Sequence, residues 1–273
     1  MTTRRTILRG LSGGTAMLML GLAGGAEAVT YGESPALAEL VKAGKLPPVA
    51  QRLPTEPEVV TPLEGVGKYG GRIRFGLRGS SDYNNTLRMV GPQGLVRWNP
   101  DYTVIIPNVA KSWDVNDNAT VFTFHLRPGM KWSDGTPFTA DDIMFNMQDM
   151  VLAGPLAPTA PRYMAGGQPV KVEKVDDVTV RFTFAAPYGD FLAELASPLG
   201  QHPVLYQKKY CAAFLPKYNP DVEAQAKAAG SSDWKTFFVS KCGDIEVSSR
   251  WGNPQRPVLD PWVVKEPYVG GAV

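Results

Sequence analysis

Apolar and polar positions alternate most clearly between residues 109 and 150. Residues 109–115 predict one strand, and 120–126 the strand returning beside it. In the second, Phe122, Phe124 and Leu126 share one face, and Val121, Thr123 and His125 the other. Asn116-Asp117-Asn118 predicts the connecting turn, because these residues tolerate left-handed backbone angles. Arg127-Pro128-Gly129 ends the strand, and Lys131-Trp132-Ser133-Asp134-Gly135 predicts a second turn. Thr139 is a helix N-cap, with Asp142 three residues on as a capping-box partner. The helix beginning at Ala140 carries Ile143, Met147, Met150 and Val151 on one stripe.

Weaker patterns flank this stretch. Gly70-Gly71 opens a predicted strand over 72–77, where Ile73, Phe75 and Leu77 alternate with polar partners. Residues 170–175 and 178–184 predict a hairpin around Asp176-Asp177. Helices are predicted over 190–195, 204–214, 221–229 and 233–242. Residues 29–70 read as an extended arm that wraps the body, broken by prolines, with one short helix over 35–43. The tail from Trp251 is Pro-rich and aromatic and carries no helix cap. With 24 prolines and 28 glycines, the composition suits short strands and loops better than a helical bundle.

The first 28 residues follow a different logic. Arg4, Arg5 and Arg9 precede a small, apolar stretch with six glycines, which ends in Ala26-Glu27-Ala28. This is the pattern of an export signal cleaved after about Ala28. Thr3-Arg4-Arg5-Thr6-Ile7-Leu8-Arg9 resembles a twin-arginine signal, which implies a periplasmic protein exported already folded. The chain's 28 basic and 26 acidic residues lose three and one with this segment, leaving 25 of each. A neutral mature chain argues against nucleic acid and against electrostatic attachment to a membrane. In an oxidising compartment Cys211 and Cys242 are candidates for a disulfide, two buried thiols being the alternative. A metal pair is disfavoured, because no histidine or further cysteine lies near either.

Motifs for catalysis are sparse. Asp114-x-Asn116-x-Asn118 opens like a calcium loop, but Ala119 stands where glycine is needed and His125 where a bidentate glutamate is needed. Nucleophile elbow, phosphate loop, dinucleotide fingerprint and zinc-protease motif are all absent from the sequence. A secreted hydrolase would have to use His125 or His202, the two histidines. Asp141-Asp142 sits in a helix's first turn, where acids complement the helix dipole.

Val109-Ala110-Lys111-Ser112-Trp113, followed by the unbroken run from Thr123 to Asp142 containing Lys131-Trp132-Ser133-Asp134-Gly135-Thr136-Pro137-Phe138-Thr139, resembles the signature of the extracellular solute-binding proteins of family 5. Gly70-Gly71-Arg72-Ile73-Arg74 is similar to the first strand of that fold. Residues 45–54 are similar to the arm of one subgroup. The resemblance implies an α/β, two-lobed periplasmic-binding-protein-like fold of the class with mixed sheets. It further implies a monomer that closes on a peptide or other small solute and delivers it to an ABC permease in the inner membrane, without catalysis or cofactor. Family members are considerably longer, so only the N-terminal part of the fold is expected. On this view a twin-arginine-like signal covers 1–28, a Pro-rich arm 29–69, and an incomplete solute-binding domain, mainly first lobe, 70–273. Ser81, Tyr83 and Asn84 after the first strand, and Trp251, Asn253 and Trp262 in the tail, are the candidate ligand residues. Aromatics stack at low entropic cost and amides read polar groups, while ordinary packing or turn duty is the competing role for each. The other readings are a secreted hydrolase and a nonfunctional product of a truncated gene.

Overall fold

The computed structural model describes residues 31–74, 76, 78, 93–158, 162–243 and 251–266. The predicted export segment lies outside the described residues, as do Ser81, Tyr83 and Asn84. Contact density divides the chain into Met1–Gly32 and Glu33–Val273, and the second is the body described below.

The arm begins with helix α1 (Pro35–Lys42). Pro35 at its start has the φ a helix needs, and the Ser34 hydroxyl accepts from the Leu37 amide at 3.3 Å. A single turn, α2 (Val49–Arg52), follows, and neither helix buries a residue. Polar ties hold the next residues to the body. The Thr55 amide donates to the Pro128 carbonyl at 2.9 Å, and Arg127 Nη1 donates to the Glu56 carbonyl at 2.8 Å. Lys131 reaches the Gln51 carbonyl, and Lys111 pairs with Glu56. Beyond Glu58 the arm has no regular structure, and Val59, Leu63, Val66 and Ile73 stand exposed. The strand predicted over 72–77 is not formed at its described positions, residues 72–74 and 76. Alternation supplies a strand with two faces, but the strand needs a neighbour to share its ladder.

The body is built on antiparallel hairpins. β1 (Val96–Trp98) pairs with β2 (Ile105–Pro107). β3 (Ala110–Val115) and β4 (Val121–Leu126) form the predicted hairpin. Its left-handed residue is Ala119 at φ 52°, not one of the Asn or Asp positions. Asn116 serves the turn through its side chain instead, accepting at Oδ1 from the amides of Thr120 and Val121, both at 2.9 Å. Helix α3 (Ala140–Phe145) starts at Thr139 with the predicted capping box and widens into a π-helical stretch over Asn146–Val151. A two-residue hairpin of β5 (Met164–Ala165) and β6 (Gln168–Pro169) leads to β7 (Lys171–Asp176) and β8 (Thr179–Thr183). The four longer strands make one sheet in the order β3-β4-β8-β7, with α3 packed on β7 and β8.

One face of this sheet is the core. Phe122 lies opposite Phe182, and Phe124 opposite Val180, so the alternating faces of β4 and β8 coincide. Helix α4 (Phe191–Leu195) drops Phe191 into their midst. Its ring centroid lies 4.8 Å from that of Phe184, 4.9 Å from Phe122, 5.4 Å from Phe182 and 5.6 Å from Tyr163. Edge-on packing of this kind adds about 0.5–1.5 kcal/mol per pair beyond burial.

After α4 the single helix predicted over 204–214 is instead three pieces. They are a 3₁₀ turn His202–Val204, helix α5 (Lys208–Cys211) and a 3₁₀ turn Ala212–Phe214. His202, expected in a loop, is 1% exposed in that first turn. Helices α6 (Val222–Ala228) and α7 (Trp234–Cys242) then pack on each other around Val222, Ala226 and Phe237. Cys211 and Cys242 are disulfide-bonded with their Cα atoms 5.9 Å apart, which pins this pair of helices to α5. The described tail returns to the 131–135 turn. Ser133 donates its amide to the Val258 carbonyl and accepts the Val258 amide at its hydroxyl, both at 3.0 Å.

The bond closes a loop with a sequence separation of 31. Replacing both cysteines by serine is expected to lower unfolding stability by about 3–4 kcal/mol through loop entropy. Urea denaturation with and without reductant checks this, and coincident midpoints would refute it.

Candidate functional site

The signature residues converge on a buried polar lock. Asp142 is 6% exposed, and its carboxylate accepts three hydrogen bonds. The Thr139 amide donates at 3.1 Å, the Trp132 indole at 3.2 Å, and the Lys208 amide at 2.9 Å. One turn on, the Asn146 amide donates to the carbonyls of Asp142 and Tyr206 at 2.7 Å, and its oxygen accepts the Tyr206 amide at 2.8 Å. Gln207 donates to Asp134 and Thr136 at 3.1 Å. These bonds hold Tyr206-Gln207-Lys208 in place, and Gln207 is accordingly extended, with ψ 120°. This is why the predicted helix breaks there. Burial pushes the Asp142 carboxyl above its ordinary pKa, against the pull of the Lys208, Thr139 and Trp132 donors. Burial acts upward on Asp134 too, but the Thr136 hydroxyl and amide and the Gln207 amide outweigh it and hold that carboxyl below its ordinary value. The lock is fully occupied by the chain itself, so it is scaffold.

A groove of about 590 Å³ opens at the tip of the β1–β2 hairpin, against the turn that follows α4. Trp98, Pro100 and Tyr102 of the hairpin line it, together with Gly94 and with Ser197 and Pro198 after α4. Two glycines are required by close approach to the end of α4: a Cβ on Gly94 would lie 2.7 Å from the Leu195 carbonyl oxygen, and one on Gly200 only 2.1 Å from the same atom. Among the described residues Arg97 is the one charged side chain in the lining, and its Nη2 lies 2.5 Å from Glu58 of the arm. Asn99 spends its carboxamide on the hairpin tip. Its oxygen accepts the amides of Thr103 at 2.8 Å and Val104 at 3.2 Å, and its nitrogen donates to the Thr103 hydroxyl at 2.9 Å.

The tail residues expected to bind ligand do not line this groove. Asn253 donates to the Tyr210 hydroxyl at 2.9 Å and the Lys241 carbonyl at 2.7 Å, which anchors the tail to α5 and α7. Trp251 is half-buried near it, and Trp262 is 57% exposed beyond the Val258 anchor. Trp98, Tyr102 and Arg97 escaped the sequence reading. Their signal was the aromatic pair flanking Asn99-Pro100-Asp101, a turn sequence with no prior claim to a site.

The histidines offer little to hydrolysis. His125 Nε2 lies 2.8 Å from Asp114 Oδ2 across the solvent-facing side of the sheet, where Asp114 is 78% exposed. Ser112 stands opposite His125 in the register, also exposed, so the three share an open face and not a cleft. His202 is enclosed in the core with its ring against Tyr163. Among the described residues no group of three His, Cys, Asp or Glu side chains could hold a metal ion.

Comparison with known proteins agrees with this architecture. The family model described as bacterial extracellular solute-binding proteins, family 5 middle, matches residues 104–236. The periplasmic α-galactoside-binding protein of Rhizobium meliloti is 39% identical over 168 residues, covering 54% of this chain and 24% of that protein. Di/tripeptide-binding protein 2 of Pseudomonas aeruginosa is 35% identical over 184 residues, covering 61% and 33%. Among solved structures, an oligopeptide-binding protein superposes with a TM-score of 0.77 at 39% identity, over 88% of this chain and 36% of that one. The periplasmic binding protein MelB of Agrobacterium fabrum, in complex with stachyose, superposes with a TM-score of 0.62 at 27% identity, over 86% and 36%. The chain thus spans about a quarter to a third of the length of these relatives. The fold is part of an α/β periplasmic binding protein. The chain is similar to the bacterial extracellular solute-binding proteins of family 5.

The two lock carboxylates are expected to titrate with opposite consequences. The lowered pKa of Asp134 stabilises the fold above its unfolded value of about 4 and is lost as pH falls through the folded one. The raised pKa of Asp142 contributes below the unfolded value and is lost as pH rises through the folded one. The destabilisation caused by Asp134→Asn should therefore shrink on acidification, and that of Asp142→Asn should grow. Asp142→Ala strands three buried donors and should cost upwards of about 3 kcal/mol at neutral pH. Urea titrations between pH 3.5 and 7 test this, and parallel pH profiles for the two Asn variants would contradict it.

Proposed function

We propose that the chain is the solute-binding component of an ABC importer, exported to the periplasm, which holds a short peptide or oligosaccharide for an inner-membrane permease. The observation that carries this reading is the shared fold. The body superposes over most of its length on solved binding proteins, and the polar lock accounts for its signature residues as the scaffold of that fold. The relatives' names include peptides, α-galactosides and heme, and the first two recur among the relatives that superpose well or align longest. A groove with aromatic walls and few polar groups suits either class. Among the described residues no helix is long and apolar enough to cross a membrane. The arginine pair near the start supports twin-arginine export, and N-terminal sequencing of the periplasmic form tests cleavage after about Ala28.

A ligand that binds only the folded chain stabilises it by RT ln(1+[L]/Kd), about 2.7 kcal/mol at one hundred times Kd. For a domain of this size that is a rise in Tm of several degrees. A thermal-shift panel of short peptides and galactosides should contain at least one such response. A flat panel would overturn the reading in favour of a chain that does not bind.

A further inference from the structure

A β-bulge at Lys111 sets the chemistry of the sheet's open face. Ala110 lies opposite Leu126, but the register then shifts, so that Ser112 lies opposite His125 and Asp114 opposite Thr123. In an unshifted ladder Lys111 would face His125, and Trp113 would face Thr123. The extra residue thus exchanges a cation for a carboxylate beside the histidine, and it turns Trp113 to the side where that ring packs against the core. His125 Nε2 and Asp114 Oδ2 end 2.8 Å apart, on side chains 35% and 78% exposed. Lys111 turns away to Glu56 of the arm at 3.2 Å. Arg181 follows Thr123 in the same row of the ladder, with Glu173 on its far side.

We propose that His125 and Asp114 form a surface site for a late divalent transition ion, Cu2+ before Zn2+, bound through His125 Nε2 and the Asp114 carboxylate. The separation of the two atoms selects the geometry. With metal–ligand bonds of about 2.0–2.1 Å, ligand atoms at a right angle lie about 2.9 Å apart, and those at the tetrahedral angle about 3.3 Å. The 2.8 Å in this structure fits the first, the tetragonal N,O arrangement of Cu2+, with the least movement. The ion takes the place of the hydrogen that the pair shares, and the neutral ring then carries its proton on Nδ1. Both ligands stand on paired strands, so little freedom is lost when they bind. Water completes the coordination, beside the hydroxyls of Ser112 and Thr123 that lie opposite the two ligands in the register. Few groups compete for such an ion. The chain has two histidines and two cysteines. His202 is 1% exposed, and the cysteines are bonded to each other. The pair lies outside the groove at the hairpin tip, so the site is independent of the solute.

The full exported chain, stripped of metal with EDTA and moved to a buffer that does not coordinate copper, is titrated by calorimetry with CuCl2, ZnCl2 and MgCl2. One Cu2+ per chain is expected, with Zn2+ at least about tenfold weaker and Mg2+ giving no binding heat. His125→Gln should weaken Cu2+ binding at least about tenfold. Asp114→Asn should weaken it several-fold, while Glu173→Gln on the same face should leave it unchanged. Both ligand residues sit on the open face, so circular dichroism spectra of the variants should match that of the unsubstituted chain. Electron paramagnetic resonance of the Cu2+-loaded chain should give an axial spectrum with coupling to one imidazole nitrogen, and His125→Gln should remove that coupling. Absence of stoichiometric Cu2+ binding overturns the site. So does binding that His125→Gln or Asp114→Asn leaves unchanged, or a loss in Glu173→Gln as large as theirs. Zn2+ binding as tight as Cu2+ overturns the right-angle geometry.

Discussion

The fold turns on one buried carboxylate. Asp142 accepts from the cap of its own helix, from the indole of Trp132 and from the amide of Lys208, three partners drawn from separate parts of the chain. Each bond fixes a different relation: where α3 begins, how the 131–135 turn lies on it, and where the segment after α4 crosses. A buried polar group is tolerated only when it is satisfied, so the three relations must hold together. Asn146 repeats the device one turn along against Tyr206. The apolar core around Phe191 supplies driving force but little direction, since hydrophobic burial is non-directional. The carboxylate and amide supply the direction.

The remaining pieces are attached by fewer contacts of a different kind. α6 and α7 share a core of three buried residues, and α7 joins the body through Phe238, packed on Tyr206 in the main core, and through the disulfide to α5. The arm contributes no buried helix and is held by backbone and ionic ties along residues 51–58. One of those ties, Glu58 to Arg97, reaches the lining of the groove. The arm is thereby coupled to the one lining cation among the described residues.

The strands of the 109–126 hairpin, the Thr139 cap and the 170–184 hairpin were legible because each is decided within a few residues. A period of two, an N-cap oxygen and a turn sequence are local statements. The errors arose where a distant partner intervened. Residues 204–214 read as one helix, but Asn146 and Asp142 claim the polar groups of Tyr206 and Lys208. Residues 72–77 read as a strand, but alternation does not show whether a neighbour exists to pair with. The Asn116 turn was placed correctly, while its left-handed residue fell to Ala119, because Asn116 fixes the backbone through its side chain.

By itself, the sequence carried the likeness to the family, the hairpins and the capped helix, since these are written in contiguous residues. It also paired two cysteines by count and compartment, leaving open whether they meet. Only the tertiary structure decided what the residues are for. It committed the signature's Trp132, Asp134 and Asp142 to internal bonds and tied Asn253 to α5 and α7. It also brought Trp98 and Tyr102 together with the turn after α4. The physical reason is range. Periodicity and capping act over one or two turns of chain, whereas a groove and a hydrogen-bond lock are made of groups from tens of residues apart, and no local pattern announces which of them will meet.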